Sequence, residues 1–120
     1  MGFREHIQHI VEATPGAIAC TIMGFDGIAI DTFQVDGVDV DLPMLLVEYS
    51  SATQQLRRNA AQSFTGPLVE MMVHGEHIST IIRLLTEEYF IAVVLKPTAL
   101  VGKARYLMRM AVAPIAKELS

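Results

Sequence analysis

The sequence predicts an α/β (α+β) fold, a five-stranded antiparallel sheet covered by helices, with the element order α-β-β-α-β-β-β-α. Three observations lead there. Asp26-Gly27 stands between two short apolar runs, the pattern of a tight hairpin. A long amphipathic segment follows Pro43, and three further apolar runs of strand length lie between residues 68 and 96. Strands within each group are joined by hairpin-length connections, which make antiparallel neighbours and leave the helices to cover the sheet.

Residues Phe3 to Ala13 predict a short helix, because Phe3, Ile7, Ile10 and Val11 recur at helical spacing opposite Arg4, Glu5, Gln8 and Glu12. Pro15 disfavours helical geometry at Thr14, and Gly16 tolerates the turn that follows. Ala17–Met23 is rich in β-branched residues and too short for a stable helix, so it predicts a strand. After the Asp-Gly turn its partner is Ile28–Phe33, with Ile28, Ile30 and Thr32 expected on the buried face and Asp31 on the other. Gln34–Leu42 is a polar, acidic loop.

Pro43 suits a first helical position, where its missing N–H has no partner to lose. The predicted helix runs from Met44 to about Phe64, with an apolar stripe of Leu45, Tyr49, Ala52, Leu56, Ala60 and Phe64. Its opposite stripe is polar, Ser51, Gln54, Gln55, Arg58 and Gln62, and its flank is full of small residues such as Thr53 and Ala61. Gly66-Pro67 ends it. Strands are predicted at Leu68–Val73, Ile78–Leu85 and Tyr89–Lys96. Pro97 closes the last one, Thr98 is the expected N-cap, and a final helix runs from Ala99 to about Leu119. Its predicted face is Leu100, Ala104, Leu107, Ala111 and Ile115, with Pro114 expected to kink it or fray its last turn.

At 120 residues the chain fits one domain, residues 1–120. Hydrophobic residues make up 52% and charged residues 18%, against roughly 45–50% and 25% in ordinary globular domains. Mean hydropathy is +0.40. So apolar a small chain is expected to leave apolar surface exposed and to cover it with a symmetric partner. No apolar run approaches the roughly 18 residues of a membrane span. The opening Met1-Gly-Phe-Arg-Glu-His lacks the apolar stretch of a secretory signal, and His6 stands where a myristoylation motif wants Ser or Thr. The single cysteine, Cys20, points to a reducing compartment, the cytoplasm. A formal charge of −4 argues against nonspecific nucleic-acid binding, which needs a basic footprint.

Catalytic constellations are not evident. His6 with His9 and His74 with His77 lack a third ligand nearby in sequence, so exposed histidines are the expectation rather than a metal site. Asp31, Asp36, Asp39 and Asp41 lack the alternation and closing Glu of a calcium loop. Cys20 sits mid-strand among apolar neighbours and reads as a small hydrophobe. No Gly-rich loop is present to cradle phosphates, and Ser50, Ser51 and Ser63 have no nucleophile-elbow context. Met71 and Met72 straddle a strand, so at least one faces the core. Arg57 and Arg58 invite an arginine-finger reading, but a solvated or partner-binding helix face fits better. Lys103, Arg105, Arg109 and Lys117 read as a solvated face of the last helix. Glu70, inside an apolar strand, is either an edge gatekeeper or a contact across a dimer.

Three segments resemble the Roadblock / dynein light chain domain family: the hairpin Met23-Gly24-Phe25-Asp26-Gly27-Ile28-Ala29-Ile30, the long second helix after an acidic loop, and Thr98-Ala99-Leu100-Val101-Gly102-Lys103-Ala104-Arg105. The last is similar to the family's Gly-x-x-Arg pattern, here Gly102 and Arg105. The resemblance spans essentially the whole chain, and its bacterial branch of MglB-type regulators of Ras-like small GTPases looks nearest. It implies a profilin-like Roadblock fold, with the second helix on one face of the sheet and the first and last on the other. It implies a homodimer paired edge to edge through Leu68–Val73. The expected interface is Thr53, Leu56, Ala60, Leu68, Val69, Glu70, Met71, Met72 and Val73. A GTPase would meet Ser51, Gln54, Gln55, Arg58 and Gln62, with no active site, cofactor or metal in this chain. Alternatives are a dimeric structural adaptor in a motor or polarity complex and a small-ligand sensor.

Overall fold

The structure is a computed structural model describing residues 2–120; Met1, which opens the N-terminal motif above, lies outside the described residues. Its elements are α1 (Phe3–Ala13), β1 (Ala17–Gly24), β2 (Ala29–Gln34), α2 (Leu42–Ala61), β3 (Glu70–His74), β4 (Ser79–Leu84), β5 (Tyr89–Leu95) and α3 (Val101–Leu119). The two hairpins, β1–β2 and β3–β4, are joined by β5, which inserts between them. The sheet therefore reads β2-β1-β5-β4-β3, with every pairing antiparallel.

The central strand shows how the layers form. Along β5, Ile91, Val93 and Leu95 point to one face and Phe90, Ala92 and Val94 to the other, the period of two that a strand imposes. α1 and α3 cover the first face, with Ile7, Ile10, Ala104, Met108 and Ile115 packed against Cys20, Ile22 and Ile81. α2 covers the second, with Leu42 and Leu46 against Ile18, Met23, Ile82 and Phe90. Each large aliphatic side chain withdrawn in this way contributes about 1.5–3 kcal/mol.

Several boundaries and faces differ from expectation, each for a local reason. In β2 the expected buried face is overturned: Thr32 is half-buried, but Ile28 and Ile30 are exposed. β2 is an edge strand whose register on β1 shifts between Ile22 and Met23, and α2 does not reach over its outer end. α2 ends at Ala61 rather than near Phe64. The Ser63 hydroxyl donates to the Ala60 carbonyl at 3.2 Å and accepts from the Thr65 N–H at 3.3 Å, the local competition by which serine ends helices. Phe64 is left fully exposed.

The buried face of α2 is also rotated from the expected stripe. Leu42, Leu46, Ser50, Thr53 and Ala60 face inward, while Ala52 and Leu56 face out. At its start the Asp41 carboxylate accepts from the Met44 N–H at 3.2 Å, a cap that the segment Asp41-Leu42-Pro43 signals. α3 begins at Val101, not Ala99, and Thr98 is not its cap. The Leu100 N–H donates instead to the Pro15 carbonyl, and the Lys96 N–H to that of Gly16, holding the connection against the entry to β1. α3 runs through Pro114 to Leu119 without a break.

Candidate functional site

The two edges of the sheet differ in how their outward backbone groups are treated. In β2, the Val35 N–H donates to the Ile18 carbonyl. Alternation along an antiparallel pair then turns the N–H and C=O of Thr32 away from β1, toward the open edge. Both are taken within the chain. The Thr32 N–H donates to Asp31 Oδ1 at 2.9 Å, and the Arg4 guanidinium of α1 donates to the Thr32 carbonyl. Arg4 also pairs with Asp31 at 3.0 Å and lies over the Phe33 ring. One ion pair thus occupies the middle of this edge, at Thr32.

In β3 the Leu84 N–H donates to the Val69 carbonyl and the Gly75 N–H to that of Ile78. Glu70, Met72 and His74 are consequently the residues whose backbone groups face outward. No side chain among the described residues covers this edge as Arg4 covers β2. Val69 is 56% and Met72 40% exposed along it.

Of the residues expected at a dimer interface, Leu68, Met71 and Val73 are half-buried, Val69 and Met72 are exposed, and Leu56 of α2 is 46% exposed. Thr53 and Ala60 are not on the surface. Thr53 is fully enclosed, its hydroxyl donating to the Tyr49 carbonyl at 2.6 Å and contacting Met71 Sδ at 3.9 Å. Thr53 lets α2 lie close on β3 of its own chain. Ala52 and Leu56, on one side of Thr53, are exposed.

Glu70 is neither bare nor a lone gatekeeper. Its carboxylate accepts from Arg83 of β4 at 3.0 Å and from Arg105 of α3 at 2.8 Å, and is itself only 14% exposed. Arg105, from the Gly-x-x-Arg segment, thus ties α3 to the edge strand. The sequence hides this tie because the partners lie 13 and 35 residues away from Glu70.

On the other face, Ser51, Gln54 and Arg58 come together. They line a groove of about 300 Å³ between α2 and the β1–β2 hairpin, with Phe25, Asp26, Gly27 and Val47. Gly27 holds φ +88°, as the second residue of its Asp-Gly turn requires. Gln55 is exposed elsewhere on α2, and Gln62 is the C-cap of the helix, so neither joins the groove. Arg57 is not free: its guanidinium donates to the Glu87 carbonyl at 2.8 Å and lies 5.1 Å from the Phe25 ring centre. It fastens α2 to the β4–β5 turn.

Several of the remaining chemistry-bearing residues are buried or locally engaged. Burial pushes the Cys20 thiol far above its usual range, which keeps it a thiol rather than a nucleophile. His74 Nδ1 lies 2.6 Å from the Ser79 hydroxyl. Asp31 and Asp41 are engaged by Arg4 and by the start of α2. Among the described residues no three His, Cys, Asp or Glu converge to hold a metal, and no helix is long and apolar enough to cross a membrane.

No family model matches the chain, and no curated protein does. Solved structures do. The chain is similar to MglC from Myxococcus xanthus, at 36% identity over 98% of this chain and 99% of that one, with a TM-score of 0.71. Gliding protein MglB from Thermus thermophilus shares the fold at a TM-score of 0.84 and 16% identity, over 95% of this chain and 85% of that one. A Roadblock/LC7 domain from Streptomyces avermitilis matches at a TM-score of 0.80 and 18% identity, over 99% and 98%. On this fold and this likeness, the chain belongs to the Roadblock/LC7 domain family.

Proposed function

We propose that the chain is a homodimeric binding module for a Ras-like small GTPase, a GTPase-activating cofactor or effector adaptor that works in the cytoplasm without an active site of its own. The observation that carries this reading is the bare β3 edge. Its outward backbone groups and the exposed Val69 and Met72 suit pairing with a second copy of the same strand. A symmetric pair would continue the sheet and bring Ala52 and Leu56 of the two α2 helices toward each other, which accounts for apolar surface left on so small a chain. The groove of Ser51, Gln54 and Arg58 then faces outward on the same side of the sheet as α2. Such a module acts on a GTPase by binding it, and Arg57, already bonded to Glu87, is not the finger.

Two measurements test the reading. Sedimentation equilibrium is expected to give a dimer, and a monomer of 13.2 kDa at working concentration overturns it. Single-turnover hydrolysis by the small GTPase encoded nearest to this chain is expected to respond to it; neither a complex nor a rate change would refute the GTPase part.

The structural-adaptor reading has one observation in its favour. The 36% identity lies with MglC, whereas the MglB structures stand at 16% and 11%. Surface chemistry specific to MglB is therefore not carried over by similarity. Pull-downs in GTP and in GDP separate the readings, because only a GTPase regulator gives nucleotide-dependent capture.

A further inference from the structure

The face of the sheet opposite α2 carries a charge pattern that neither reading uses. Of the nine Lys and Arg residues in the chain, four lie on α3, and that helix has no carboxylate before Glu118. A cleft of about 160 Å³ opens where α3 meets the β3–β4 hairpin, lined by Arg83, Arg105, Arg109, Tyr106 and Gly102 with Glu70. Three guanidiniums there face one carboxylate. Glu70 takes up Arg83 and Arg105, at 3.0 and 2.7 Å, while Arg109 has no ion-pair partner among the described residues. A chain with a formal charge of −4 thus concentrates positive charge in one concave place.

Gly102 is the second, independent observation. It is the second residue of α3 and does not adopt a left-handed conformation. A Cβ added to it would meet nothing within 4 Å. Nothing inside the chain requires glycine there, and glycine costs helix stability relative to alanine. A bare Cα on the wall of a cationic cleft lets the main chain of a ligand approach closely. Tyr106 and Met110, exposed on the same helix, add apolar surface beside it.

We propose that this cleft docks an acidic peptide segment of a partner protein. Its carboxylates pair with Arg109 and the free side of Arg105, its main chain passes over Gly102, and its apolar side chains rest on Tyr106 and Met110. Arg is suited to the task because its planar fork matches a carboxylate in a two-bonded geometry. A nucleic acid fits less well, since the acidic remainder of the chain repels an extended polyanion.

The test uses the full chain and a fluorescein-labelled peptide of Glu, Gly and Leu, read by anisotropy against its Gln counterpart. The acidic peptide is expected to bind, to weaken as salt rises, and to leave the Gln peptide unbound. Arg109→Glu should lower affinity by about tenfold or more, equivalent to one oppositely charged contact replaced by a repulsive one. Gly102→Leu should lower it by a similar factor while the thermal unfolding midpoint stays level or rises, because the new side chain enters open space and favours helix. That second result would not arise from charge alone. Equal binding of both peptides, or affinity indifferent to either substitution, overturns the proposal. So does stronger capture by phosphatidylserine vesicles than by the peptide, which would make the face a membrane contact.

Discussion

β2 and β3 terminate the same sheet, yet the chain treats them in opposite ways. At β2, Asp31 and Arg4 occupy the N–H and C=O of Thr32 that would otherwise recruit another strand. At β3, Glu70 is drawn onto Arg83 and Arg105, toward α3 and not across the strand's own edge. The backbone of Glu70, Met72 and His74 is left open. A strand edge is a template for pairing unless something blunts it, and here the middle of β2 is blunted at Thr32 whereas β3 is not. The difference rests on a single ion pair at one edge and its absence at the other, which makes it open to direct experiment.

The largest effect is expected from Met72→Pro. The Met72 N–H faces away from β4, so proline there removes no hydrogen bond from the β3–β4 ladder. It removes the donor at the centre of the open edge and places a ring in the path of an incoming strand. Self-association measured by sedimentation should weaken by about 100-fold or more, some 2.7 kcal/mol, with the far-ultraviolet circular dichroism unchanged. A variant that dimerises as tightly as the parent would show that the bare edge is not the one used.

Glu70→Gln probes the inward side of the same strand. It leaves Arg83, 17% exposed, without its carboxylate; Arg105, more than half exposed, matters less because solvent screens it. Hydrogen bonds between charged groups in such partly buried places contribute roughly 1.5–3 kcal/mol, so a loss of about 2 kcal/mol in urea unfolding is expected. That loss should be the same at low and high protein concentration, since the tie lies within one chain. A loss that appears only where the protein associates would place Glu70 at the interface instead.

How much of this was legible beforehand follows from the range of each interaction. The element order comes from local patterning, because periodicity of two or 3.6 residues is written within each segment; the edge position of β3 is implied only by the family resemblance. The orientation of α2 differs from its apolar stripe because Ser50 and Thr53 sit on its buried face. Small polar residues pack there since their hydroxyls bond backbone carbonyls of Phe25 and Tyr49, and no hydropathy stripe reveals that. Ile28 and Ile30 misled in the reverse sense: an alternating apolar pattern does not say whether a helix reaches far enough to cover it. The ion pairs at the two edge strands are the least legible. Arg4 and Asp31 are 27 residues apart, Glu70 and Arg105 35, and only the assembled sheet brings them together.

The smallest energetic effect is expected at the closed edge, where the comparison is most exposed to refutation. Arg4 is 55% exposed and Asp31 31%, so solvent screens the pair and Arg4→Ala should cost no more than about 1 kcal/mol of stability. Its consequence for association should be out of proportion to that cost. With the guanidinium gone, the Thr32 carbonyl is unoccupied, and the exposed Ile28 and Ile30 lie beside it. The variant is then expected to form species larger than the parent assembly as concentration rises, and Arg4→Ala combined with Asp31→Ala, which also frees the Thr32 N–H, should go further. Introducing Met72→Pro into that double variant separates the edges: association that survives the proline must run through β2. Should Arg4→Ala lose stability yet leave the assembly unchanged at every concentration, the ion pair is only a fastener for α1, and the contrast between a guarded and an open edge fails.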